Sequence, residues 1–150
     1  MKASPEFLQA QEKMKPGVLT SDGFFGNDSR PLVDIIAADE TSMQHLGITF
    51  ENAAEKLIKL IAAARPALGN CITVDNTWEV CVDEARGGLP CPFRDGLYSK
   101  GIITVTNRDS GKALVFTDLS FHLFSKHHFL QGNGSRFRIE PKDLKAVLDL

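Results

Sequence analysis

The residues best suited to chemistry crowd into the stretch from Asp118 to Arg138, with one cysteine, Cys91, before it. Asp118 and His122 are four apart, so on a helix they share a face, and a carboxylate beside an imidazole suits acid–base work or metal ligation. His127 and His128 follow five and six residues after His122, about 140° and 240° further around a helix, which sets both off that face. The plainer reading makes Asp118 a helix cap, His122 a polar-face residue and Lys126 to His128 a basic last turn that complements the helix dipole. Cys91 stands between Pro90 and Pro92, so its backbone is held extended, and a thiol displayed this way becomes a nucleophile if a neighbour lowers its pKa from about 8.5. Only Arg94 lies close enough in sequence to do that. The candidate catalytic set is therefore Asp118, His122 and Cys91, weighed against a structural thiol.

A second set could bind an anion. His128, Gly132, Gly134, Ser135, Arg136 and Arg138 combine the N–H groups of a glycine turn with two guanidinium forks, which suit a carboxylate or phosphate. In a strand-like stretch from Phe137 to Ile139 the two arginines would project to the same side and act together. No helix follows the turn at once, so the dipole of a phosphate loop is missing and an ordinary glycine turn is the bland alternative.

Other recognisable chemistry is absent. There is no G-x-x-x-x-G-K-[ST], no G-x-G-x-x-G, no H-E-x-x-H, no paired C-x-x-C and no G-x-S-x-G. The loop Asp22 to Asp28 lacks the register and terminal glutamate of an EF-hand. Cys71, Cys81 and Cys91 recur at intervals of ten, too widely for a local zinc knuckle, so no metal and no cofactor is expected. Three cysteines, an odd set, read as reduced thiols rather than a disulfide framework.

The elements that must position these residues are well punctuated. Ser4 and Pro5 open a helix over 5–15 that Pro16-Gly17 ends. Leu32, Ile35, Ile36, Met43 and Leu46 follow Pro31 on a helical stripe, but Asp39 falls on that stripe, which predicts a break near Asp39 to Ser42. Thr49 caps the clearest amphipathic helix, carried by Phe50, Ala53, Ala54, Leu57, Ile58, Ile61 and Ala64 up to Pro66. After Gly69 the period changes to two, with Ile72, Val74, Trp78, Val80 and Val82 in one or two strands; Asp75-Asn76 either turns a hairpin or kinks one strand. Residues 85–99 read as an irregular connection. A hairpin follows, with arms Gly101 to Asn107 and Lys112 to Asp118 around Arg108, Asp109, Ser110 and Gly111. Residues 118–130 carry both periods, with length and the basic end favouring helix, and Pro141 opens a last helix on Leu144, Val147 and Leu148.

Strand patterns grouped between 71 and 118, with helices on either side, predict one α+β domain over 1–150: an antiparallel sheet packed with helices from the N- and C-terminal parts. The 150 residues, 43% hydrophobic and 24% charged, match an ordinary packed core. The first 99 residues carry 9 basic and 14 acidic groups and the rest 8 and 5, too mild an asymmetry for a nucleic-acid-binding face. The N-terminus has no apolar segment of a secretory signal, and no run of eighteen apolar residues suggests a membrane span, so a cytoplasmic location is expected.

Three stretches carry a resemblance: Lys15-Pro16-Gly17 through Asp22-Gly23-Phe24 to Asp28 and Arg30; Val82-Asp83-Glu84 through Pro90-Cys91-Pro92-Phe93; and His128-Phe129 through Gly132, Gly134-Ser135 and Phe137-Arg138 to Pro141. Together they resemble a conserved family of uncharacterised bacterial cytosolic proteins, over most of the chain. The resemblance implies a bacterial cytosolic setting and brings no catalytic residue with it. The function expected is a domain binding a small anionic ligand or a protein. The alternatives are a small enzyme using the Asp/His pair with a cysteine nucleophile, and a structural or oligomer-forming protein. A homo-oligomer is left open; nucleic acid and membrane partners are not expected.

Overall fold

A computed structural model describes residues 4–150. Three helices come first: α1 (Pro5–Lys13), α2 (Leu32–His45) and α3 (Phe50–Ala64). Ser4 Oγ accepts the Phe7 N–H at 3.3 Å and Thr49 Oγ1 accepts the Asn52 N–H at 3.1 Å, so both N-termini are capped as expected. Six strands follow, β1 (Ile72–Val74), β2 (Trp78–Val82), β3 (Gly88–Pro90), β4 (Leu97–Ser99), β5 (Ile102–Asn107) and β6 (Ala113–Thr117), and then α4 (Asp118–His127) and α5 (Pro141–Leu148). The fold is α+β, with an antiparallel four-stranded sheet in the order β1-β2-β5-β6 and a separate two-stranded sheet β3-β4.

The main sheet buries one face. Trp78, Val80 and Val82 alternate with more exposed residues along β2, as do Ile103 and Val105 along β5 and Leu114 and Phe116 along β6, and all seven join a core completed by α3 and α5. A second buried cluster lies under α1, α2 and α4, where Met14, Phe24, Leu32, Ile35, Leu123 and Phe129 meet Cys91. The β3-β4 hairpin touches this second cluster through Leu89 and Tyr98 and so hangs beside α4. Among the described residues no helix is long and apolar enough to cross a membrane.

Several local expectations change. Helix α2 runs through Asp39 without a break, because the Asp39 carboxylate, only 4% exposed, receives the Arg138 guanidinium at 2.8 and 2.9 Å. An acid on an apolar stripe interrupts a helix only if nothing neutralises it. Residues 85–99 contain a real hairpin, β3-β4, with Leu89 opposite Tyr98. Asp118 is the first residue of α4 and not its cap: Thr117 accepts the Ser120 N–H at 3.1 Å and Ser120 returns the contact in a capping box. The Phe137 to Ile139 stretch is turn and coil, not strand.

The cysteine reading also changes. Asp75 and Asn76 both take positive φ, 52° and 55°, and turn β1 back on β2 with Ile72 opposite Val80. That register puts Cys71 directly across from Cys81, and the two form a disulfide, leaving Cys91 as the free thiol. A ten-residue interval is therefore a cross-strand neighbour relation, which the sequence could not supply while hairpin and kinked strand were both open. Thiol titration of the unfolded, unreduced protein should find one reactive thiol; a count of three would return Cys71 and Cys81 to the reduced state.

Candidate metal centre

The tip of the β3-β4 hairpin is short and constrained. The Cys91 N–H donates to the Gly96 C=O and the Arg94 N–H donates to the Cys91 C=O, each at 2.9 Å, so the chain doubles back within six residues. Arg94 sits in the left-handed region at φ 64°. This turn brings Asp95 alongside Cys91, and the hairpin lays both against α4.

There they meet two histidines. Asp95 Oδ1 lies 2.9 Å from His122 Nε2 and Asp95 Oδ2 lies 2.7 Å from His127 Nε2. Cys91 Sγ is 3.8 Å from His127 Nε2. One ligand atom from each of Cys91, Asp95, His122 and His127 lies within 4.8 Å of all the others. The rings are held by stacking: Tyr98 lies over His122 and Phe93 over His127, both at 4.0 Å between centroids and within 17° of parallel. Phe7 of α1 packs edge-on against Phe93 at 5.6 Å and backs up that clamp.

The electrostatics follow from this crowding. Burial pushes the Cys91 thiol up to about 12, and the neighbouring Asp95 carboxylate adds to the rise. Burial also works to raise Asp95, but contacts from Cys91, His122 and His127 outweigh it and hold the carboxyl far below the usual range. Burial lowers the His127 pKa against the opposing pull of Asp95. A thiol with so high a pKa is a poor nucleophile by itself.

The residues put forward from the sequence are distributed differently. His122 is paired with Asp95 and not with Asp118, which instead receives Arg65 at 2.6 Å. His122 and His127 do converge, with ring centroids 5.2 Å apart. The 140° between them fixes where each side chain leaves the helix, and a carboxylate entering between the two rings can still reach both nitrogens. Cys91 joins them from 36 residues away. His128 turns elsewhere, stacking on Phe50 at 3.9 Å and pairing with Glu40 at 2.9 Å.

The structure does not gather the residues of the expected anion set in one place. Arg138 is committed to Asp39, to Glu140 at 2.9 Å and to the Gln131 C=O at 2.6 Å, with its side chain 10% exposed. Arg136 is exposed and rests over the Phe137 ring. Gly132, Gly134 and Ser135 form a turn that packs against the Phe24 to Asp28 loop. With the strand replaced by turns, the two arginines do not project together.

No family model, no curated protein and no solved structure matches this chain. Asp95, Phe93 and Tyr98 carry no mark in the sequence that singles them out, since C-P-F-R-D-G reads as an ordinary proline-glycine loop. The dense histidines of α4 and the proline-flanked Cys91 were the visible signals.

Proposed function

We propose that the protein binds a transition-metal ion, with zinc the best fit, through Cys91, Asp95, His122 and His127. The observation that carries this reading is the convergence of four ligating atoms of complementary type from two separate elements within 4.8 Å. One sulfur, two imidazole nitrogens and a carboxylate oxygen suit zinc, whereas calcium and magnesium want oxygen throughout. At ordinary Zn–N and Zn–S lengths the ligand atoms of a tetrahedral site stand about 3.3 to 3.6 Å apart. The Asp95 oxygens lie nearer the two imidazole nitrogens than that, and the Cys91 sulfur lies slightly farther from His127 Nε2.

A bound cation also supplies what the buried Cys91 lacks, a positive charge that favours thiolate. Four protein ligands fill a tetrahedral shell, so this ion ties the β3-β4 hairpin to α4 as a structural centre, and the reading does not require an enzyme. The Cys71–Cys81 disulfide removes the reduced-thiol argument for a cytoplasmic location. A bacterial cytosolic setting then rests on the sequence resemblance alone.

Cobalt(II) reports the coordination directly. Titration of chelator-treated protein should reach saturation at one equivalent, with the visible bands of tetrahedral cobalt and a thiolate charge-transfer band. Cys91→Ser should remove the charge-transfer band. Octahedral spectra, or a thiolate band unaffected by that substitution, would reduce the cluster to an Asp95 carboxylate bridging two histidines.

A further inference from the structure

Away from the metal centre, a cavity of about 450 Å³ opens between the Thr20 to Gly26 loop, the Gln131 to Phe137 segment and the strand ends near Leu89 and Ile102. That volume lies within the range of small-molecule sites. Its inner surface is mostly apolar, with Phe24 and Leu119 buried and Leu89 half-buried beside the buried polar side chains of Thr117 and Gln131. Its rim carries two cations, Lys100 and Arg136, and neither has a carboxylate within ion-pairing distance among the described residues. Asp22 is the one carboxylate in the lining.

The walls are preformed. The Gly132 N–H donates to the Phe24 C=O at 3.0 Å, the Asn27 N–H to the Asn133 C=O at 2.9 Å, and the Asn133 N–H to Asp28 Oδ2 at 3.2 Å. A Cβ on residue 132 would stand 2.2 Å from the Phe25 carbonyl oxygen, so glycine is what allows the two loops to close together. Gln131 is 4% exposed and its amide is spent on Ser120 and Ser135, which fixes the rear of the segment. Arg136 is supported by the Phe137 ring, 4.8 Å from its guanidinium carbon.

We infer that this cavity binds a small carboxylate with an apolar body, the hydrocarbon packing against Phe24, Leu89 and Leu119 and the carboxylate held at the rim by Lys100 and Arg136. An apolar chamber with a cationic mouth selects for that distribution of charge, since a fully polar anion leaves the chamber unfilled and a neutral hydrocarbon leaves both cations unpaired. Asp22 disfavours a doubly charged headgroup, so the class is monocarboxylate. The inference does not rest on the metal centre, whose four ligands all lie outside the lining.

Calorimetric titration with octanoate tests it, on both chelator-treated and zinc-loaded protein. Saturable one-to-one binding is expected in both, weaker by at least tenfold in the Lys100→Gln/Arg136→Gln double variant, with Lys142→Gln unchanged. Octanol and inorganic phosphate, which carry only the body or only the charge, should each bind at least tenfold more weakly than octanoate. The unfolding midpoint of the double variant checks that the fold is retained, and both substituted residues are exposed. The inference is overturned if octanoate does not saturate, if the double variant binds as the wild type does, or if phosphate matches octanoate.

Discussion

Substituting His122 or His127 by alanine should lower zinc affinity by on the order of 100-fold or more, while His128→Ala leaves it unchanged. Removing a residue that merely orients a metal ligand costs about 10- to 100-fold, so removing the ligand costs at least as much. His128 is the fitting control because it neighbours His127 in sequence yet stacks on Phe50 and pairs with Glu40, away from the cluster. The same experiment has a stability readout. Zinc at about one hundred times its Kd stabilises the native state by about 2.7 kcal/mol, and the two ligand variants should lose most of that increment while chelator-treated wild type stays folded. Affinity should also fall with falling pH, because protons compete for the imidazoles and the thiolate. Equal zinc affinity in His122→Ala, His127→Ala and wild type would end the metal reading.

Arg138→Ala should destabilise the protein by about 3 to 5 kcal/mol, the usual cost of leaving one partner of a buried ion pair alone. Asp39 and Arg138 have side chains 6% and 10% exposed, and they join the middle of α2 to the segment before α5 through two hydrogen bonds of 2.8 and 2.9 Å. Glu140 is half exposed and cannot replace what Asp39 loses by itself. Asp39→Ala should cost a similar amount. The double variant Asp39→Leu/Arg138→Met should recover much of the loss, since apolar residues of similar volume remove the unpaired charge instead of stranding it. Urea unfolding of the four proteins measures all of this. A loss under about 1 kcal/mol for Arg138→Ala would class the pair with exposed salt bridges and undo the account of why α2 runs through Asp39.

Features whose cause is local were legible in the amino-acid order. The Thr49 cap and the α3 stripe depend on residues within four positions of each other, although Ile58, expected on that stripe, is exposed and Leu60 is buried in the core, while the β5-β6 hairpin follows from its short turn, which Gly111 closes at φ 75°. The α+β class followed from where the two periods occur along the chain. The rest was decided by partners far away in sequence. Asp39 stays helical because Arg138 arrives from 99 residues off, and no window around Asp39 contains that information. Cys71 meets Cys81 only once the left-handed Asp75 and Asn76 set the β1-β2 register. Asp95 reaches His122 and His127 across 27 and 32 residues because a hairpin tip docks on α4, and the helical angle between two histidines says nothing about a third group that enters between them. Sequence periodicity specifies which way a side chain leaves its own element. Packing of elements against one another specifies what it meets, and chemistry begins at that second step.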